Sequence, residues 1–566
     1  MKETVRKFVL KNALDFKGSV NPKAILGLIL RSSPEFKKDF QKLNKEIESC
    51  IADIKNKSLK DIKKELENLD PELSKEKKVE VPKGPLKPLR NAEDGKVVVR
   101  IAPSPSGALH IGHAYGSSLN ALYAKMYNGK FILRIEDTNP ENIYPGAYQL
   151  IEQDAKWLTE NNVSQVIIQS ERLEIYYKHA KTLIDKEKAY VCTCDADTWR
   201  EMKNNGEACT CRILPKKEQQ ECYQKMFKDY AEGEAILRLK TDVKHKNPAM
   251  RDFGLMRINE HIHPRTKTAS RVWPLMVFSV AVDDHELGLT HVLNGKDQAD
   301  NARKEMLIME CFGWAPPVYQ HWGFINFIGF KLSSSQTRLA IEQNEYTGWD
   351  DVRLPFLPAL RKRGYQVGAF HKFASEIGLS LNDKTVSMEE FWKMINAFNK
   401  DIIEPTSNRY FFVEDPVKIT IRNAPEKEVR IDFHPEFKER GARTLKVKGK
   451  VLIDKRDHKD LVERRLHRLM DYCNIEIKDQ GETFSSEEYE DYKNAENKGK
   501  IIHWLPDSKD LVDVEIVMED NTIIKGKGEF NLTNLEEGDI VQFERFAFAR
   551  LDKIEKNKMV FWYLHK

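Results

Sequence analysis

No stretch of the 566-residue chain stays apolar for the roughly 18 residues a membrane span needs. The opening "MKETVRKFVLKNALDF" carries no uninterrupted apolar segment either, so it does not read as a secretory signal. Cysteine is scarce: eight residues over the whole length exclude a disulfide-built scaffold. No internal repeat of fixed period recurs. Charge of one sign is also missing. The 92 Lys and Arg against 88 Asp and Glu leave a net +4, a balance that neither demands nor excludes a nucleic-acid partner. With 40% hydrophobic and 32% charged residues, the expectation is a cytoplasmic protein of three or more domains, with no membrane partner.

What is present divides the chain into blocks. Residues 1–70 read as helices: "VRKFVLKNALDF" sets Val5, Phe8, Val9, Ala13 and Phe16 at helical spacing, and "IESCIADIKNKSLKDIKKELENL" does the same with lysine and glutamate on the other face. Prolines and charges without apolar period mark residues 71–95 as a linker. "KVVVRIAPSPSG", "HAYGSSLNALYAKMYNG" and "KFILRIEDT" then spell strand, glycine turn, helix and strand, a βαβ unit of a parallel sheet. This α/β pattern covers 96–190 and resumes over 266–345, with an insertion at 191–265 and a helical region at 346–407. From 408 to 566 short alternating strands such as "RYFFVED", "TLKVKGKVLI" and "DIVQFERFAFARLD" predict β-barrels. The fold class is multidomain α/β plus β.

Chemistry concentrates in "PSPSGALHIGH", Pro103 to His113. A glycine turn that leaves a buried strand and enters a helix offers backbone N–H groups and a positive dipole end, which suits a phosphate. Gly112 opens the backbone to a flat ligand. His110 and His113 can donate hydrogen bonds as charge builds in a displacement at phosphorus.

Four of the cysteines cluster. Cys192, Cys194, Cys209 and Cys211 form two C-x-C pairs across a short loop, a pattern that supplies a thiolate cage for structural zinc. Two pairs of reduced thiols are the plainer alternative.

"RIAPSPSGALHIGH" and "FILRIEDT" resemble the class I glutamyl-tRNA synthetases, in particular the archaeal type, and the resemblance extends through "GWDDVRLPFLPALRKRG", "RYFFVEDPVKI" and "VQFERFAFARLD". It implies a Rossmann-like catalytic domain in two halves and an inserted domain that receives the acceptor end of tRNA. It also implies a helical connection and β-barrels that bind the anticodon. The implied reaction joins L-glutamate to AMP from ATP, with Mg2+, and then to the 3′ end of tRNA(Glu). By place in these motifs, Arg100 resembles the arginine that binds the substrate carboxylate, Ala102 and Ser104 line the same pocket, and Glu136 resembles the carboxylate that holds the α-amino group. Pro103, Gly107, His110, Gly112 and His113 would serve ATP, as would Lys331, Ser333 and Ser335 of "KLSSS".

Three positions depart from the family pattern. Ser334 replaces a lysine common in class I enzymes, and Asn294 in "HVLNGKDQADN" stands where the family generally has an arginine. Loss of that cation forfeits a charge-assisted contact worth about 1.5–3 kcal/mol. Val277 likewise stands where a polar residue is common. "APSPSG" favours glutamate over glutamine. The rivals are a glutaminyl-tRNA synthetase and a catalytically impaired tRNA-binding paralogue. Charging of tRNA(Gln) and a protein partner for the N-terminal helices stay open as expectations.

Overall fold

A computed structural model describes residues 2–15, 20, 22, 25–26, 29–30, 33, 36, 39–55, 57–70, 86–330, 332–478, 481–556 and 558–566. Phe16, residues 71–85 of the expected linker and Lys331 lie outside the described residues. The chain forms two compact units, residues 1–85 and 86–566.

In the first unit, α1 (Lys2–Asp15), α2 (Phe40–Ile54) and α3 (Leu59–Leu69) share a core. Leu43, Ile47, Cys50 and Ile54 recur every three or four residues on α2 and meet Val5, Val9 and Ala13 of α1 and Ile62 and Leu66 of α3, all buried. Arg6 fastens the polar side, 2.5 Å from Asp53 and 2.6 Å from Glu65.

The second unit opens on a three-stranded parallel sheet, β1 (Val98–Ile101), β2 (Lys130–Ile135) and β3 (Gln165–Ile168). The crossover between β1 and β2 is α4 (Ile111–Met126), and that between β2 and β3 is α5 (Ala147–Leu158). The strands are near-continuous runs of buried Val, Ile, Leu and Phe, as expected where helices cover both faces. An antiparallel sheet follows in the order β4 (Ala189–Cys192), β5 (Ile236–Leu239), β6 (Gly254–Ile258), β7 (Val272–Pro274). Its core holds the fully buried Trp273 and Phe278.

The chain then returns to the first sheet through α6 (Met276–Glu286) and β8 (His291–Gly295). Thr290 ties β8 beside β1: its N–H donates to Val98 O at 3.1 Å, and its Oγ1 accepts from Val98 N at 2.9 Å. After α7 (Ala299–Phe312), β9 (Val318–Trp322) pairs with β8 in parallel. The carboxyl ends of β1, β2 and β8 therefore lie together, the usual ligand position of an open parallel sheet.

Beyond the helices of 357–403, the C-terminal region is β-structure. Asn408–Tyr410 and Phe412–Glu414, consecutive in sequence, occupy opposite edges of one seven-stranded sheet, which is thereby nearly closed into a barrel. Period-two alternation splits this short stretch between two cores. Tyr410 and Phe412 pack with Phe543 and Phe561, whereas Phe411 and Val413 pack with Tyr472 and Trp504. Among the described residues no helix is long and apolar enough to cross a membrane.

Candidate active site at the strand ends

The loop after β1 is anchored from both sides. Glu136 N donates to Pro103 O at 3.0 Å and Tyr144 N to Pro105 O at 2.8 Å. Gly107 lies against Trp349: a Cβ there would meet the indole at 2.3 Å, so the position tolerates no side chain. Leu109 N donates to the buried carboxylate of Asp154 at 3.2 Å, which burial pushes up to about 7.

His110 caps α4. Its Nδ1 accepts from Gly112 N at 3.1 Å, and His113 Nδ1 accepts from His110 N at 3.3 Å. A Cβ on Gly112 would sit 2.9 Å from the His110 ring, which explains the glycine. A nitrogen that accepts carries no proton, so each neutral ring holds its proton on Nε2. Burial, with His113 beside it, depresses His110 to about 2, and burial depresses His113 to about 4. Both are neutral Nε2–H donors near pH 7. The first-turn amides are used internally, since Ile111 N donates to Pro355 O at 3.2 Å and Gly112 N to His110. Sequence reasoning expected these amides to be open to phosphate; the imidazoles are what this end of the helix leaves over.

Next to this loop is a cavity of about 350 Å³, lined among others by Arg100, Ala102, Glu136, Asn294, Glu305 and Trp322. Pro103, Ser104, Gly112 and His113 also border it. Beneath it runs an ionic chain. Arg100 contacts Asp284 twice at 3.2 Å, Arg134 contacts Asp284 at 2.6 Å, and Arg134 contacts Glu136 at 2.9 Å. Burial would raise Asp284, but the guanidiniums of Arg100 and Arg134 hold it below the usual carboxylate range. Glu136 moves the other way, raised by burial that Arg134 and Arg100 only partly offset. Its neighbour Asp137 faces away from the cavity chemistry, saturated by Ser170 N and Oγ and by Tyr148, all at 2.7 Å.

Asn294 lines the cavity from the end of β8, and its Oδ1 accepts from His321 Nδ1 at 2.6 Å, which leaves its NH2 as the free donor. Among the described lining residues Arg100 is the one permanent cation. Val277 packs in the core around Trp273, while Met276 and Val280 of the same helix face the cavity. The second loop adjoins the first through Ser334 Oγ, 3.4 Å from Ala108 O. Ser333 caps the helix Ser334–Glu342 by accepting from Gln336 N at 3.4 Å, and its Oγ lies 3.3 Å from Ser335 Oγ.

The four clustered cysteines converge. Cys192 and Cys209 Sγ are 3.8 Å apart, as are Cys194 and Cys211 Sγ, and all four sulfurs lie within 4.8 Å of one another. A tetrahedron with Zn–S bonds of about 2.3 Å has sulfur–sulfur edges of about 3.8 Å, so the donor set fits zinc. A second acidic group, Asp454, Asp457 and His503, is instead neutralised by Arg545, which reaches Asp457 at 2.5 and 2.9 Å and His503 at 3.2 Å.

Sequence reasoning passed over Asp284 and Glu305. The signal for Asp284 was the "DD" doublet inside an apolar run, because two buried carboxylates demand partners. Its twin Asp283 binds Arg172 at 2.8 Å and Tyr176 at 2.7 Å. Glu305, in a mixed helical stretch, carried no such signal.

Residues 96–405 match the family described as tRNA synthetases class I (E and Q), catalytic domain; 407–490 and 501–552 match its anti-codon binding domains. The chain is 43% identical over 572 residues to the glutamate–tRNA ligase of Pyrococcus furiosus, with 99% of each covered. It is 40% identical over 568 residues to that of Methanocaldococcus jannaschii, with 100% of each covered. For the ligase of Pyrococcus abyssi the figures are 42% over 573 residues and 99% of each.

Proposed function

The chain belongs to the class I tRNA synthetases for glutamate and glutamine, and from this premise we propose how its cavity carries out the reaction. That reaction is the ATP-dependent ligation of glutamate to tRNA. The α-carboxylate of L-glutamate attacks the α-phosphorus of ATP and pyrophosphate leaves. A terminal hydroxyl of tRNA(Glu) then attacks the acyl carbon and AMP leaves.

No protein nucleophile is needed, so rate enhancement comes from positioning and charge stabilisation. Arg100 binds the side-chain carboxylate of glutamate, and Asp284 fixes its guanidinium plane. Glu136 holds the α-ammonium with the oxygen that Arg134 leaves free, and Ala102 and Ser104 form the wall. His110 and His113 donate from Nε2 to phosphate oxygens. Pro103, Gly107 and Gly112 shape the nucleotide side, and Lys331, Ser333 and Ser335 contribute from the second loop. Asp284 and Glu136 are both committed to arginines, which fits a Mg2+ ion held by the triphosphate rather than by a carboxylate cage. Such an ion supplies neutralisation of phosphate charge.

Cys192, Cys194, Cys209 and Cys211 hold a structural zinc ion that fastens the insertion at 191–265, which receives the tRNA acceptor end. The helical region at 346–407 connects to β-barrels at 408–566 that read the anticodon, and the enzyme works in the cytoplasm. One observation carries the site reading: Arg100, Glu136 and Asn294 from three strand ends line one cavity with Gly112 and His113. ATP–pyrophosphate exchange with tRNA present tests it, together with charging of tRNA(Glu) and tRNA(Gln). Exchange with glutamate is expected; exchange with glutamine alone overturns the reading.

A further inference from the structure

Glu305, on α7, is 5% exposed and lines the cavity. Its Oε2 accepts from Tyr319 OH at 3.0 Å. Among the described residues no cation lies within ion-pair distance of it, because Arg100 and Arg134 both spend themselves on Asp284. A buried carboxylate without a paired cation is costly, and the group relieves that cost by holding its proton.

Tyr319 decides where that proton sits. The oxygen that accepts from a phenol is the carbonyl oxygen of a carboxylic acid, so Oε2 is occupied and the O–H is Oε1, the oxygen left for the cavity. We propose that Glu305 is a specificity-determining residue, donating a hydrogen bond from its carboxyl group to the side-chain carboxylate of the bound glutamate beside Arg100. The inference rests on the ligase reading above and adds the second contact that Arg100 alone does not provide.

The surroundings agree. The charged and titratable groups around Glu305 are Asp284 of α6, Arg100 of β1, Arg134 of β2 and Tyr319 of β9. Burial dominates and Asp284 adds to it, and together they outweigh Arg100, Tyr319 and Arg134, which leaves Glu305 at about 7. Below that value the neutral acid donates. Above it, an ionised Glu305 repels a carboxylate at the same place, so glutamate binding must take up a proton.

The experiment is tRNA-dependent pyrophosphate exchange on the full chain between pH 6 and 8.5, with KM for glutamate as the readout and KM for ATP alongside. For the wild type, KM for glutamate climbs about tenfold per pH unit above the midpoint, as one-proton linkage requires. In Glu305→Gln, an isostere whose amide oxygen still accepts from Tyr319, the climb disappears. Asp154 titrates in the same range beside Leu109 and affects both proteins alike, so it cancels in the comparison. Parallel curves for the two proteins overturn the proposal. Should Glu305→Gln fail to fold, Tyr319→Phe decides. Removing a donor that favours the ionised form moves the midpoint to higher pH, and an unmoved midpoint overturns the proposal. Absence of glutamate-dependent exchange at pH 6 in the wild type removes the ligase reading and this inference together, an outcome distinct from parallel curves.

Discussion

Asp284 grips Arg100 by two contacts of 3.2 Å while its Oδ1 also receives Arg134 at 2.6 Å. A single buried carboxylate thus sets the direction of Arg100, the one permanent cation among the described lining residues of the cavity. Arg134 turns on to Glu136 as well, so Asp284 is shared between the two guanidiniums and only partly offsets Arg100, the cation that faces an anionic side chain. The chain continues through Arg134 to Glu136, so the groups assigned to the two ends of the substrate are mechanically connected.

Asp284→Asn removes the anion and strands two buried arginines. Breaking such a pair costs about 3–5 kcal/mol, visible as a lowered urea midpoint at unchanged slope. Exchange activity with glutamate should fall by more than the stability loss explains. A variant with wild-type stability and KM would sink the positioning role given to Asp284.

The two histidines predict an acid-side signature. Both titrate far below their ordinary 6.5 in the folded protein, so the unfolded chain binds protons first. Their stabilising contribution is complete above about pH 6.5 and declines as the pH falls, by about 1.4 kcal/mol per unit for each ring. For His113 the decline levels near pH 4. Equilibrium denaturation of His113→Gln between pH 7 and 4 should show a shallower fall than the wild type, and equal slopes would count against it. His113→Ala should also lower the rate of adenylate formation by about 10²–10³.

Asn294 tests which end of the amino acid lies at β8. Asn294→Asp places a negative charge at a position that lines the cavity with Arg100. KM for glutamate should rise about tenfold or more, equivalent to ~1.4 kcal/mol. Glutamine, tested as competitor, should lose little. Equal losses for both amino acids would show that Asn294 does not face the side chain.

Zinc should be present at one ion per chain, measured by elemental analysis of protein purified without chelator. Cys209→Ser should lower both the metal content and the thermal midpoint, and raise the tRNA concentration needed for half-maximal charging. A metal-free wild type of full stability would leave the four sulfurs as ordinary thiols.

Local signals were legible where one stretch of chain carries its own explanation. The βαβ unit shows in "VVVRI" and "FILRI" because buried parallel strands read as unbroken apolar runs. The cysteine pairs announce themselves by spacing, and their sulfurs do converge. The glycine turn before His110 pointed toward a nucleotide site, a reading that stays a proposal, and the first-turn amides expected to be open are used internally. Whether Gly112 N faces solvent or the His110 ring depends on a side-chain rotamer, which composition does not encode.

Taken by itself, the sequence determined the element types, the family and most of the candidate site, since each depends on short-range pattern: strand runs, helix period, turn residues and motif order. Tertiary structure alone decided which charges neutralise one another. Arg100 and Asp284 stand 184 residues apart, and Glu305 meets Tyr319 from the following strand. Burial sets the protonation of such groups, and burial is a property of the packed molecule that no single segment possesses.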